Sequence, residues 1–591
     1  MNASKTKLQP LIEGQKQYVV PLFQRRYTWD TKNWVALWDD LLEVCEEATP
    51  REHFFGSIVT MPTQSVPEGI TKFTLIDGQQ RLTTTLILLA AIRDAEPALK
   101  EEIQATLLTN PFKSGTDSFK LLPTQVEGDR AAFLHIIKPS GEPESEMTNS
   151  NIPRAYRFFH KKLRSVETPP LERLMRIVVN NLVVVSIVLD SKDDNPFLIF
   201  ESLNAKGERL SQADLIRNYF FMRMPMDKQT EVHRLHWEPM ERALGDNLSE
   251  FIRHFLMKDG EIVRQSDVYL TLKARADKHD NAQTLDYLIE IARFADYYEK
   301  LTDASKETDS ALRERLQRLN RIEMTVAYPL LLNVYNEYSN ARLSQEAFLL
   351  LLDTLENFML RRFVCAVPTY GLNKIFPLLF DQAQKTGDLL VGVRGVLSTK
   401  GYPRDAEFKE RLMNSTLYGK GERIPKAKLI LERLELSFDH KEQVAFDNLT
   451  IEHVMPQTPT TWWREHLGAQ QSALYESHLH TLGNLTLTAY NSNLSNSGFL
   501  EKKAILAQSH VNLNAYFMPL ERWDGAAISK RANLLSDKAL EIWSDFAPSR
   551  PEAEPSQGVT GTTPRRIEIL GHSQNVASWR EVLEATLRIL H

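Results

Sequence analysis

Strand-like runs cluster in the first 190 or so residues of this chain, and that clustering constrains its architecture more than any other feature. Tyr18-Val19-Val20-Pro21-Leu22, Phe55–Thr60 and Phe73–Ile76 are short, apolar and partly β-branched between polar flanks, as strands require. Leu182–Leu189 is a run rich in β-branched residues bounded by polar ones, the pattern of a buried strand. Helical spacing interleaves with them. Trp34, Leu37, Trp38, Leu41 and Leu42 repeat at helical intervals within Trp34–Cys45, and Leu82–Asp94 is rich in Leu, Ile and Ala. Pro196–Leu203 and Ser211–Met222 also read as helices, joined by the turn Asn204-Ala205-Lys206-Gly207. From about residue 225 to 400 the pattern is nearly all helical, with Leu312–Asn320 and Phe348–Phe358 as examples. No fixed repeat period runs through the chain, which argues against a solenoid. The fold class expected is mixed α/β at the N-terminus and mostly α beyond it.

At about 150 residues per domain, 591 residues make three or four folding units. The boundaries expected are 1–225 (α/β), 226–404 (helical) and 405–546, then a linker over 547–566 and a strand–helix tail over 567–591. The linker is rich in Pro, Gly, Ser and Thr and nearly free of apolar residues. One strand and one helix, Ile567–Leu570 and Val576–Leu590, cannot bury a core alone. Lys plus Arg (71) against Asp plus Glu (77) leaves a net charge of −6. That excludes a uniformly basic nucleic-acid coat but allows a local basic cleft. Cys45 and Cys365, the only cysteines, exclude a disulfide framework and a multi-cysteine zinc site. The first residues lack the apolar core of a secretory signal, and no apolar run approaches the roughly 18 residues that span a bilayer. A cytoplasmic protein without a membrane is the expectation.

Two groups of residues carry chemistry. In the first, Pro21-Leu22-Phe23-Gln24-Arg25-Arg26-Tyr27-Thr28-Trp29 precedes Ile76-Asp77-Gly78-Gln79-Gln80-Arg81-Leu82. The second motif joins a strand to a helix through a polar turn, an arrangement that aims backbone N–H groups at an anion. Arg25 and Arg81 offer forked donors to phosphate, Tyr27 or Trp29 a ring for a base, and Asp77 a carboxylate for a metal or a water. Gly78 allows close approach. The same residues also serve as structure alone, with Arg25 paired to Asp77 and Trp29 in the core.

The second group is Asn448-Leu449-Thr450-Ile451-Glu452-His453-Val454-Met455-Pro456-Gln457, then Leu482-Gly483-Asn484-Leu485, Asn491-Ser492-Asn493-Leu494-Ser495-Asn496, and Phe499, Lys502 and Lys503. Its spread suits two strands, a connection and a helix folded around one metal. Phosphodiester hydrolysis needs a base near neutral pH, which histidine supplies, and a hard cation held by carboxylate or amide oxygens. Glu452 and Asn493 supply such oxygens, Asn484 can bond backbone and fix the strand carrying His453, and Lys502 or Lys503 can hold a phosphate. A lone histidine beside a glutamate is equally a structural residue. A zinc cluster of His466, His478 and His480 is the rival, though no pair among them has i, i+4 spacing.

Gln24-Arg25-x-Tyr27-x-Trp29, Phe55-Gly56-Ser57-Ile58 and Asp77-Gly78-Gln79-Gln80-Arg81 resemble the N-terminal domain of GmrSD-type, type IV restriction endonucleases. Phe200–Ser211 resembles the same domain's later motif. Glu-His-x-x-Pro-Gln, Leu-Gly-Asn-Leu, Asn-x-x-Leu-Ser-Asn and Phe-x-x-Lys-Lys resemble that family's C-terminal HNH nuclease domain, with Glu452 where Asp is usual. The resemblance implies a ParB-like domain that binds and hydrolyses a nucleoside triphosphate, a helical middle region, and a C-terminal helical domain carrying a ββα-metal HNH site. Carried over, Gln24, Arg25, Tyr27, Trp29, Asp77, Gly78, Gln79, Gln80 and Arg81 form the nucleotide pocket, with Asn204 and Gly207 as further candidates and Asp77 acting in hydrolysis. His453 matches the general base, Asn484 the middle asparagine and Asn493 the metal-binding residue, with Asn491 and Asn496 as alternatives. Glu452 joins the metal, Mg2+ or Mn2+, and Lys502 and Lys503 contact DNA. The function implied is cleavage of modified double-stranded phage DNA in a bacterium, under NTP control, with a homodimer as the candidate assembly. The rivals are an NTP-switched DNA-binding regulator with a vestigial nuclease site, and a nuclease toxin acting on unmodified DNA or RNA.

Overall fold

The computed structural model describes residues 2–22, 24–63, 69–124, 128–138, 150–165, 168–190, 211–224, 226–438, 440, 444–548, 564–569 and 572–590. Phe23, the helix expected over Pro196–Leu203, the motif Phe200–Leu210 with Asn204 and Gly207, and most of the expected linker lie outside these residues. The chain divides into two compact units. One is Met1–Asp353 with Thr369–Gln382, and the other is Thr354–Pro368 with Ala383–His591.

The first unit contains a six-stranded mixed sheet in the order β1-β6-β3-β4-β2-β5. The strands are β1 (Asn2–Lys7), β2 (Lys16–Val19), β3 (His53–Pro62), β4 (Thr71–Asp77), β5 (Leu121–Leu122) and β6 (Leu182–Val188). The four runs read as strands all appear, and the Leu182 run lies between two neighbours with most of its residues on both faces buried, which matches its largely apolar character. β1 and β5 have no such signature. β1 is the polar hexapeptide Asn-Ala-Ser-Lys-Thr-Lys on the sheet edge, held by antiparallel backbone pairing to β6 rather than by side-chain burial.

Helix α1 (Thr31–Glu46) starts at Asp30, whose carboxylate accepts from Lys32 N while Asn33 closes back on Asp30 N, a reciprocal cap. Its stripe Trp34, Leu37, Trp38 and Leu41 is buried. Helix α2 (Gln79–Ala95) directly follows β4 and is buried on nearly every face from Gln79 to Arg93, as expected of a helix at a core's centre. The rest of this unit is helical. Helix α3 (Gln345–Val364) contains the division between the two units.

In the second unit β7 (Thr450–His453) pairs antiparallel with β8 (Leu485–Thr488), placing His453 opposite Leu485. Helix α4 (Phe499–Leu506) follows, then α5 (Gly525–Ile542). Val454, Met455, Trp463, Phe499, Phe517, Trp523 and Ile528 form the core beneath this pair. Arg531 on α5 is fully buried and donates to the carbonyls of Gly483 and Leu485, which pins the entry of β8. The tail is a hairpin, β9 (Arg566–Ile569) with β10 (His572–Asn575), before the helix Trp579–Leu590. β10 is entirely polar and exposed, so no alternation marks it in sequence. Among the described residues no helix is long and apolar enough to cross a membrane.

Candidate active site

The two N-terminal motifs meet in space, and their glutamines are what join them. Gln24 Nε2 donates to Ile76 O at 2.7 Å, and Gln79 Nε2 donates to Arg25 O at 2.7 Å. Gln80 Oε1 accepts from Thr28 N (2.9 Å) and Trp29 N (3.2 Å), while its Nε2 donates to Arg26 O (3.0 Å). All three glutamines are buried. These amides therefore clamp the 24–29 loop onto the β4–α2 turn; they act as positioning groups for any ligand rather than as its first contacts.

Tyr27 departs from the stacking role considered for it. It is 5% exposed, and its hydroxyl bonds Thr84 Oγ1 (2.6 Å) and accepts from Trp34 Nε1 (2.9 Å). Burial pushes its phenol well above the ordinary range. Its ring is core, and Trp29 is the half-buried ring of this loop, edge-on to Phe55.

Asp77 and Arg81 remain partly open. Arg81 NH1 donates to Ser57 O at 2.7 Å and lies 3.7 Å from Asp77 Oδ2, which also accepts from Ser57 Oγ at 3.2 Å. Thus Phe55-Gly56-Ser57-Ile58 joins the same cluster. Gly78 caps α2 with φ +94°, and a Cβ there would lie 2.9 Å from Ser57 O and from Ile58 Cγ1. Only glycine fits a turn pressed this closely against β3.

In the C-terminal unit His453 ends β7 and is 4% exposed. Its Nε2 shares a hydrogen bond with His480 Nδ1 at 3.0 Å, and Gln457 Nε2 stands 3.5 Å from its Nδ1. The Tyr418 ring meets His453 edge-on at 4.6 Å and stacks on His480 at 5.7 Å. Burial first, then His480 and Lys502, push the His453 pKa down to about 3, so the imidazole is neutral.

Asn484 is fully buried, and its amide is saturated by protein. Oδ1 accepts from Met455 N (2.7 Å) and Trp523 Nε1 (3.0 Å); Nδ2 donates to Met455 O (2.9 Å) and Leu479 O (2.9 Å). Every polar atom of the amide is thus engaged within the protein, an arrangement that suits fixing the strand that carries His453. Gly483 is required beside it, since a Cβ would lie 2.3 Å from Ile528 O on α5.

Lys502 is fully buried and donates to Glu452 Oε1 and to His453 O, which ties helix α4 to β7 rather than pointing the ammonium at solvent. Burial raises the Glu452 carboxyl and lowers the Lys502 ammonium, and their mutual attraction opposes both shifts. Lys503 donates to Leu520 O at 2.7 Å.

Of the three asparagines, Asn493 is exposed, and its side-chain Oδ1 accepts from Ser492 Oγ at 3.2 Å. Asn491 instead donates to Thr450 Oγ1 and Ile451 O on β7, and its Oδ1 is buried without a hydrogen-bond partner among the described residues. An orphaned amide oxygen has the chemistry to take a cation or a water. Among the described residues no three His, Cys, Asp or Glu side chains converge as a metal cluster.

His480 and Tyr418 were missed as partners of His453. His480 was read only as a zinc candidate, and Tyr418 lies 35 residues before His453 with no motif around it. Leu417 N and Tyr418 N both donate to His480 O, a tertiary contact that no local pattern announces.

Residues 8–221 match the family described as GmrSD restriction endonuclease, N-terminal domain, and residues 402–538 match GmrSD restriction endonucleases, C-terminal domain. No curated protein matches the chain. The two matches span more than half the polypeptide, stand in N-to-C order, and coincide with the two residue clusters built above. The chain belongs to the GmrSD family of restriction endonucleases.

Proposed function

We propose that the chain is a type IV, nucleotide-dependent endonuclease that cuts modified double-stranded DNA, with a ParB-like NTP-hydrolysing domain and an HNH nuclease site of ββα-metal type. The observation that carries this reading is His453, a neutral imidazole at the end of a strand whose backbone is fixed on both sides by Asn484 and Lys502. A neutral imidazole can take a proton from water. An anionic phosphodiester brought beside the ring raises its proton affinity, so the base strengthens once substrate is in place.

Asn491 Oδ1 suits a hard cation, and Glu452 joins it only by exchanging Lys502 for the ion. A bound Mg2+ or Mn2+ would neutralise charge on the phosphate. In the N-terminal unit the Asp77–Arg81–Ser57 cluster at the start of α2 is the place for a triphosphate, and Trp29 is the ring for its base.

The test is cleavage of DNA carrying glucosylated hydroxymethylcytosine or phosphorothioate linkages, beside unmodified DNA and RNA, with and without NTP and Mg2+. His453→Ala should abolish cutting and leave NTP hydrolysis largely intact. Wild-type cutting by His453→Ala would remove the HNH assignment of His453, and no cutting by the wild type on any of these substrates would favour the regulator. NTP-independent cutting of unmodified DNA or RNA would favour the toxin.

A further inference from the structure

The environment of His453 is asymmetric, and its two ring nitrogens have different tasks available. Nε2 faces Nδ1 of the half-buried His480 at 3.0 Å. Nδ1 faces Gln457, an exposed residue, at 3.5 Å, too long for a strong hydrogen bond. A neutral imidazole has one N–H, and its position decides which nitrogen is a base. The shorter contact is the one at Nε2, and the amide nitrogen of Gln457 facing Nδ1 is compatible with a lone pair there. A proton on Nε2 has His480 Nδ1 as its acceptor.

We propose that His480 is the positioning residue of the nuclease site: by accepting the Nε2 proton of His453 it holds His453 in the tautomer whose Nδ1 lone pair deprotonates water. The proposal rests on the reading of His453 as general base. His480 is itself held. Its carbonyl accepts from Leu417 N (2.9 Å) and Tyr418 N (3.3 Å), and the Tyr418 ring lies nearly parallel to it at 20°. The same tyrosine meets His453 edge-on, at 89°. Both imidazoles thus have fixed planes, and at 4% exposure His453 has little bulk water to choose its tautomer. When Nδ1 takes a proton from water, the imidazolium keeps its Nε2–H bond to the neutral His480. The hydroxide formed bonds to phosphorus as the P–O bond to the departing sugar oxygen breaks, and that oxygen takes a proton from solvent and leaves with its DNA end. A partner of this kind orients a histidine and fixes its tautomer, and losing one typically costs about 10- to 100-fold.

Two variants separate the hydrogen bond from packing. His480→Phe keeps a ring against Tyr418 and removes the acceptor; His480→Asn removes the ring and keeps an oxygen near the Nδ1 position. With ring-15N-labelled histidine in the full chain, wild type and His480→Asn should show His453 protonated on Nε2 and bare on Nδ1. His480→Phe should show a mixture of tautomers. On DNA carrying glucosylated hydroxymethylcytosine, His480→Phe should lower kcat roughly 10- to 100-fold at unchanged KM, with most of the loss restored in His480→Asn. A proton on Nδ1 in wild type, or an unchanged tautomer and kcat in His480→Phe, overturns the proposal. If His480→Phe does not fold, a wild-type kcat and a redistributed tautomer in His480→Asn overturn it equally. Cleavage that survives His453→Ala refutes the reading of His453 as general base, a result distinct from any outcome at His480.

Discussion

Replacing Asn484 with alanine should unfold the nuclease site from within, and the size of the effect follows from its hydrogen bonds. The amide satisfies two buried donors, Met455 N–H and Trp523 Nε1–H, and donates to the carbonyls of Met455 and Leu479. Asn484, Met455 and Trp523 are all fully buried. An orphaned buried donor costs about 1–3 kcal/mol, and carbonyls, with two lone pairs, tolerate the loss better. Two donors and partial relaxation give an expected loss of about 3–5 kcal/mol. Urea unfolding of the full-length protein measures it, and hydrogen exchange at the Met455 amide, two residues beyond His453, should lose protection. Cleavage should fall with it, because the carrier of the base is no longer held. A loss below about 1 kcal/mol, with Met455 still protected and cutting abolished, would refute this account and place Asn484 on the reacting atoms.

Lys502→Met should destabilise by about 3–5 kcal/mol, because Glu452 is left as a buried, unpaired carboxylate; Lys502→Met with Glu452→Gln should recover most of it in denaturation experiments. A stable Lys502→Met variant with weakened DNA binding would restore the phosphate role. Gly78→Ala should cost at least about 1–2 kcal/mol from the left-handed φ alone, before the contact with Ser57 O is counted, and should weaken nucleotide binding in a calorimetric titration; unchanged binding would separate the turn from the nucleotide. His254 is buried, and burial with Arg253 pushes its pKa down to about 4, below the 6.5 of an exposed histidine. The stability it contributes is complete above pH 6.5 and is lost as pH falls toward 4. Unfolding free energy should therefore drop by about 2 kcal/mol between pH 7 and pH 5 through this residue, and His254→Gln should flatten that dependence.

The sequence by itself determined the α/β-then-helical order of the chain, because β-branched runs and helical stripes are local patterns that burial imposes on any fold. It also determined the family, through short motifs whose residues must stay adjacent in the chain. Edge strands were beyond it: Asn2–Lys7 and His572–Asn575 are polar, and their pairing rests on backbone groups that every residue possesses. The division of labour inside each motif was decided only by tertiary structure. Tyr27 and Trp29 are equivalent aromatics in sequence, yet one packs under Thr84 and Trp34 while the other is half-buried. Lys502 and Glu452, 50 positions apart, neutralise each other in the core, and Asn491 rather than Asn493 keeps an unpartnered oxygen. His480 reached His453 through a turn 27 residues away. Such assignments depend on which polar atoms lose water and which partners they find at about 3 Å, and burial and distance between remote segments exist only once the chain has folded.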